Sequence, residues 1–200
     1  MSPHNDNVLY HGMQFVFKTS DRGEHWEKIS PDLSRYDPHR QGESFYSISY
    51  ATISTLSESP LKQGLIYAGT DDGNLHITRD GGDIWTTVIR DLPKNKHVSR
   101  VMASQHKEGT VYLTLNGKRQ DDFRAYVYRS DDYGSKWEDI SSNMPDSPVN
   151  VIIEDPRHPN ILYAGTDIGV YISDNRGESW QVMGSGMPSI FVHDLKLHPR

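Results

Sequence analysis

The chain has 200 residues, a formal net charge of −6, no cysteine, and 34% hydrophobic residues, with 11 Tyr, 5 Phe, 4 Trp, 16 Gly and 11 Pro. That length suits one sizeable domain or a repeat array, and the aromatic, Gly and Pro content suits many short strands and turns rather than disorder. The composition excludes disulfide and thiolate chemistry, an acidic balance without a basic run argues against nucleic acid as a partner, and no apolar stretch is long enough to span a bilayer.

In chain order, Val8 to Tyr10 and Gln14 to Lys18 read as short strands leading into Thr19, Asp21, Gly23 and Trp26, with a further strand from Trp26 to Ser30. A polar linker over 31–44 carries the turn signals Asp37-Pro38 and Gln41-Gly42. The second unit has a strand within 46–57, then Leu65 to Thr70 and Leu75 to Thr78, the group Thr78, Asp80, Gly82 and Trp85, and a strand from Trp85 to Ile89. The third runs Val98 to Ser104, Thr110 to Leu115, an enlarged loop over Asn116 to Phe123, Arg124 to Arg129, the group Ser130, Asp132, Gly134 and Trp137, and a strand ending at Ile140. The fourth runs Val149 to Glu154, Ile161 to Thr166, Val170 to Ser173, the group Ser173, Asn175, Gly177 and Trp180, and a strand ending at Met183. After Pro188, the run from Phe191 to Leu197 reads as the inner strand of a fifth unit.

All four tryptophans thus close one pattern, a hydroxyl, a carboxylate or amide, a glycine and an indole at positions 1, 3, 5 and 8. The short polar side chains can hold backbone N–H groups of a tight turn, and Gly takes the positive φ that other residues resist. Each group is therefore read as a hairpin clasp with the Trp ring laid over its own turn. Asn175 in place of Asp still accepts a backbone hydrogen bond, which argues against chemistry that needs a charge there.

Four strands per unit make the blade of a β-propeller. The expected fold is all-β, a single domain or arc over 1–200, with blades near 1–30 (completed by 190–198), 45–90, 97–141 and 148–184. Three closures stay open: a small ring within one chain, a homodimer that exchanges the terminal strands, or an arc cut from a longer propeller. The polar start, Met1 to Asp6, is not a secretory leader.

With its clasps the sequence resembles the Asp-box, or bacterial neuraminidase, repeats of the sialidase, sortilin and xyloglucanase superfamily, and in particular large bacterial sortilin-like or glycosyl-hydrolase-like repeat proteins. The resemblance is carried by Ser2-Pro3-His4, Ile29-Ser30-Pro31-Asp32-Leu33, Tyr67-Ala68-Gly69-Thr70-Asp71-Asp72-Gly73, Arg119-Gln120-Asp121-Asp122-Phe123, Val149-Asn150-Val151-Ile152 and His193 through Arg200. It implies a longer, secreted or periplasmic family chain, and ligands held on the face away from the clasps. It does not imply activity, since the superfamily holds hydrolases, receptors and assembly factors alike.

In each blade the clasp joins strands three and four on one face, whereas the loops between strands two and three, and those joining blades, lie on the other. On that other face fall Asp71, Asp72, Asp121, Asp122 and Asp167, the candidate acids for general acid/base work, a hard cation or a hydroxylated ligand. Asp71-Asp72-Gly73 and Asp167-Ile168-Gly169 also fit turns in which Asp caps its own backbone. A surface ion-pair cluster with Arg119 and Arg124 accounts equally for Asp121-Asp122. His193 and Asp194, with Arg100 and Asn150 at matching places in neighbouring blades, are candidate ligand-binding residues at the channel mouth. No metal site, cofactor motif or catalytic set stands out. The expected function is a non-catalytic module binding a protein, peptide or glycan. The alternatives are a glycoside hydrolase using the loop carboxylates and a fragment with no activity of its own.

Overall fold

The computed structural model describes residues 1–35, 51–184, 186 and 188–198. Among these, four antiparallel sheets follow one another in chain order. The first blade holds β1 (Leu9–Gly12), β2 (Val16–Thr19) and β3 (Glu27–Lys28). The second holds β4 (Ile53–Glu58), β5 (Ile66–Thr70), β6 (Leu75–Thr78) and β7 (Thr86–Thr87). The third holds β8 (His97–Ala103), β9 (Val111–Asn116), β10 (Val127–Ser130) and β11 (Glu138–Asp139), and the fourth β12 (Val149–Glu154), β13 (Leu162–Thr166), β14 (Gly169–Ser173) and β15 (Gln181–Val182). The chain is an all-β propeller arc. Its outer strands pair over two residues each, shorter than the runs read from sequence. Most of the 31–44 linker, the start of the 46–57 run and Pro199-Arg200 lie outside the described residues.

The clasps form as the spacing requires. In the third blade Ser130 Oγ donates to Asp132 Oδ1 at 2.8 Å and accepts the Gly134 amide at 2.8 Å, while Asp132 Oδ1 accepts the Lys136 amide at 2.8 Å. Thr19-Asp21-Gly23 and Thr78-Asp80-Gly82 repeat that pattern, and in the fourth blade Asn175 Oδ1 takes the place of the carboxylate oxygen. Four glycines, Gly23, Gly82, Gly134 and Gly177, sit at φ between 86° and 124°, where an L side chain is strained.

The tryptophans do something the sequence reading missed. Only Trp26 lies over its own turn, donating Nε1–H to the Gly23 carbonyl at 3.1 Å, and it stays 45% exposed. Trp85, Trp137 and Trp180 instead donate to Ile29, Val88 and Ile140 of the preceding blade at 2.8, 2.8 and 2.7 Å. The clasp glycine abuts the same residue: a Cβ on Gly177 would lie 2.8 Å from Ile140, and one on Gly82 2.6 Å from the Ile29 carbonyl oxygen. Trp180 is consequently 3% exposed. The three later clasps are joints between blades, and a buried indole N–H needs such an acceptor.

The hydrophobic core lies between successive sheets. Val16, Leu33, Ile53 and Ala68 fill the first gap, Leu75, Val101, Leu113 and Leu115 are among those filling the second, and Tyr112, Ile152, Leu162 and Trp180 pack in the third. Fully burying such a Leu or Ile contributes about 1.5–3 kcal/mol.

The inner strands share one irregularity. Register slips between Ile53 and Thr55, between Val98 and Arg100, and between Val149 and Val151, so a β-bulge places Ser54, Ser99 and Asn150 alike. Ser54 Oγ donates to the Val98 carbonyl and Ser99 Oγ to the Val149 carbonyl, both at 2.7 Å, and Asn150 Nδ2 lies 3.3 Å from the Val192 carbonyl. Strand-two glycines receive the β-branched residue of the next inner strand. An added Cβ on Gly12 would meet Ile53 at 2.7 Å, on Gly69 Val98 at 2.3 Å, and on Gly165 Val192 at 2.7 Å.

The run after Pro188 therefore occupies the place of a fifth inner strand beside the fourth blade, with the Val192 amide bonded to the Thr166 carbonyl at 2.9 Å. Among the described residues the sheet of the first blade has three strands, β1, β2 and β3.

Candidate functional site

The two faces separate as the hairpin order dictates. Turns between strands one and two meet the clasps, with the Arg22, Gly81, Tyr133 and Arg176 amides donating to the Asn7, Gly64, Gly109 and Asn160 carbonyls. The loops between strands two and three and the interblade loops share the opposite face, where the Asp71 amide reaches the Thr52 carbonyl and the Asp167 amide the Pro148 carbonyl.

On that face each candidate acid but one is held by partners. Asp71, 5% exposed, accepts the Thr52 amide at 2.8 Å and pairs with Arg119 of the next blade at 3.2 Å. Asp72 accepts the Thr70 hydroxyl at 2.5 Å and the Arg35 amide at 2.7 Å, in a turn that Gly73 completes at φ 92°. Asp72 does not cap its own backbone as Asp before Gly was expected to: the Asn74 amide bonds Thr70 Oγ1 at 2.8 Å instead.

Asp122 is the most heavily bonded. It binds Arg124 through Nε at 3.0 Å and Nη2 at 2.9 Å, Lys96 Nζ at 2.8 Å and the Tyr126 hydroxyl at 2.7 Å. Arg124 first, with help from Lys96 and Tyr126 against the opposing effect of burial, holds its carboxyl well below the usual carboxylate range. The same contact raises the Tyr126 phenol to about 12, burial being the larger cause. Neighbouring Asp121 is exposed at φ 53°, closing a 3₁₀ turn over Lys118–Gln120, and lies outside this cluster.

Asp167 joins two blades. Its Oδ1 accepts from Asn150 Nδ2 at 2.9 Å, its Oδ2 from Lys118 Nζ at 3.0 Å, and Asn116 Nδ2 reaches Asn150 Oδ1 at 2.9 Å. Lys118 Nζ also stands 4.6 Å from the centre of the exposed Phe191 ring, a cation–π distance. Arg100 crosses to Asp194 at 2.7 Å, and exposed His193 stacks parallel to Phe191 with centroids 6.2 Å apart. Asn150, Asp167, Lys118 and Phe191 thus form one cluster, Arg100 and Asp194 a pair, and Asp72 and Asp122 separate structural nodes.

Sequence reasoning passed over Lys96, Lys118, Asn116, Tyr126 and Phe191. Their signal was weak, since contacts such as Lys96 to Asp122, Asn116 to Asn150 and Lys118 to Asp167 span 26, 34 and 49 positions and are visible only once the blades are aligned on their glycines. A further acidic group, Asp21, Glu24 and His25, lies exposed on the first clasp, where His25 Nδ1 is 2.6 Å from Asp21. Among the described residues no helix is long and apolar enough to cross a membrane.

No protein-family model matches this sequence, and no curated protein does. Among solved structures, an ancestral GH74 enzyme superposes with a TM-score of 0.71 at 22% identity, over 93% of this chain and 24% of that one. The likeness is one of fold. The GH74 xyloglucanase from Xanthomonas campestris gives 0.69 at 14% identity, over 94% and 30% of the two chains. The extracellular domain of a one-component system protein from B. thetaiotaomicron gives 0.59 at 15%, over 93% and 22%. The chain spans less than a third of the length of each. Enzymes and an extracellular domain share this architecture, so the fold is compatible with hydrolysis and with binding alike.

Proposed function

We propose that the chain is a non-catalytic propeller module of the Asp-box type, secreted or periplasmic, that recognises a protein, peptide or glycan on the face opposite its clasps. One observation carries this reading. The buried or half-buried carboxylates of that face are each consumed by structural partners, Asp71 by Thr52 and Arg119, Asp72 by Thr70 and Arg35, Asp122 by Arg124, Lys96 and Tyr126, and Asp167 by Asn150 and Lys118. A glycosidase needs one carboxyl held protonated near neutrality, and the Asp122 environment pushes the opposite way.

Exposed apolar side chains on loops of the same face favour binding: Phe123, Ile168, Ile190 and Phe191. Such groups rimmed by polar residues mark interaction surfaces. The resemblance to sortilin-like repeats supports the secreted location and the choice of face.

The test is a screen of the purified chain against glycan and peptide arrays alongside aryl-glycoside substrates. Phe191→Ala is expected to weaken any ligand found by at least about tenfold, roughly 1.4 kcal/mol, without moving the melting temperature. Glycoside turnover that disappears in Asp121→Asn, the one candidate acid outside the partnered set, overturns the proposal in favour of a hydrolase.

A further inference from the structure

The third blade packs between the second and the fourth, and its strand-two to strand-three loop, over 117–126, reaches towards both. Lys118 crosses to Asp167 of the fourth blade at 3.0 Å, Arg119 to Asp71 of the second at 3.2 Å, and Arg124 returns to Asp122 of the loop itself at 2.9 Å. In every pair the acid lies beneath and the base on top. The side chains of Lys118, Arg119 and Arg124 are 49, 37 and 67% exposed, and those of Asp167, Asp71 and Asp122 are 12, 5 and 14% exposed. A chain with 27 acidic and 21 basic residues thus turns a layer of cations to solvent at this loop.

The loop is fixed in that shape. The Gly117 carbonyl accepts the Gln120 and Asp122 amides at 2.8 and 3.2 Å, and a Cβ on Gly117 would lie 2.7 Å from the Asp122 carbonyl oxygen. Donors remain on its outer side. Arg124 spends Nε and Nη2 on Asp122, which leaves Nη1 without a partner among the described residues, and the Lys118 ammonium gives Asp167 one of its three N–H groups. Half-exposed Phe123 adds an apolar surface beside Arg124. The acids beneath are already bonded, so sugar hydroxyls find few acceptors here, whereas a carboxylate finds donors.

We propose that this loop is a docking surface for an acidic peptide, whose carboxylates bond Arg124 and Lys118 while an apolar side chain packs on Phe123. The inference rests on reading this face as the ligand side, and it names the chemistry of the ligand. Charge-assisted bonds to carboxylates are the strong ones, and the guanidinium fork suits a planar anion. Because each exposed base has an acid under it, recognition acts at contact range and not through a long-range field.

The experiment titrates three probes into the 200-residue chain, followed by amide resonances: a synthetic peptide of Asp and Glu with one Phe, its counterpart with Lys at each acidic place, and oligogalacturonate. The acidic peptide is expected to bind at least about tenfold more tightly than the Lys peptide and to shift Gln120, Asp121 and Phe123. Gln120→Glu, at an exposed side chain with no hydrogen bond among the described residues, adds an anion without breaking a pair and should weaken that peptide about three- to fivefold. Asp121→Asn, which keeps a residue tolerant of the positive φ, should strengthen it by about the same factor. Both variants should keep the wild-type melting temperature. Preference for the Lys peptide, shifts confined to other loops, or equal binding by wild type and both variants overturns the proposal while leaving a binding module in place. Binding of oligogalacturonate alone overturns it in favour of an anionic glycan. Glycoside turnover instead overturns the non-catalytic reading on which it rests.

Discussion

Strand two of every blade carries a tyrosine at the same place: Tyr10, Tyr67, Tyr112 and Tyr163. Tyr10 donates to Glu58 at 3.1 Å, and Tyr112 to Glu154 at 3.0 Å, in each case a carboxylate ending the inner strand of the following blade. Ala103 ends the corresponding strand after Tyr67. Tyr67 is fully buried with a hydroxyl that has no partner, and burial pushes its phenol far up. Replacing each tyrosine by Phe therefore has opposite consequences. Tyr112→Phe removes one donor from a buried carboxylate that also binds Ser104 and the Gln105 amide, at a cost of about 1.5–3 kcal/mol. Tyr67→Phe deletes an unsatisfied buried hydroxyl and is neutral to stabilising by about 1–2 kcal/mol. The two variants should melt roughly 3–20 °C apart, taking about 2–4 °C per kcal/mol for a chain of this size. Calorimetry and urea unfolding of both, at one protein concentration, measure the difference. Equal destabilisation by the two substitutions refutes the reasoning and means that Tyr67 has a bonded partner.

The blade joint gives a second contrast: Trp180→Phe strands the Ile140 carbonyl and should cost about 1–3 kcal/mol, whereas Trp26→Phe at its half-exposed site should stay within about 0.5 kcal/mol, both read from urea midpoints. Asp122 gives a pH dependence. Its folded carboxyl lies below the ordinary 3.8, so its contribution is present above that value and is lost as pH falls towards the depressed one. Asp122→Asn should accordingly be destabilised by about 1–3 kcal/mol at pH 7, with the gap to wild type closing below about pH 4. A gap that persists unchanged in acid removes the ionic explanation.

The four clasps were legible because their chemistry is local: hydroxyl, carboxylate, glycine and backbone amide lie within five residues, so spacing alone specifies the turn. Blade order followed from them, as did the inner-strand character of the run holding Val192. The role of the tryptophans was not legible. An indole N–H at the end of a clasp has a nearby carbonyl in its own turn, which Trp26 uses, and only packing against a preceding blade reveals the acceptors at Ile29, Val88 and Ile140. The candidate site was hidden for the same reason. Asp71, Asp122 and Asp167 read as neighbours on one face, but their partners Arg119, Lys96 and Lys118 come from other loops, and those pairings turn prospective acids into fixed anions.

The joint has a consequence for how such a chain can vary. In the three joints the indole addresses a main-chain carbonyl, and the clasp glycine needs only a β-branched residue to abut, Ile29, Val88 or Ile140. The connector thus reads almost nothing of its neighbour's side-chain identity. Blades can drift apart in sequence, lengthen their loops as Asn116 to Phe123 does, and still couple. The coupling also has a direction, since each of the second, third and fourth blades grips the one before it, which makes the arc a one-way grammar: a unit can be appended wherever a carbonyl is offered.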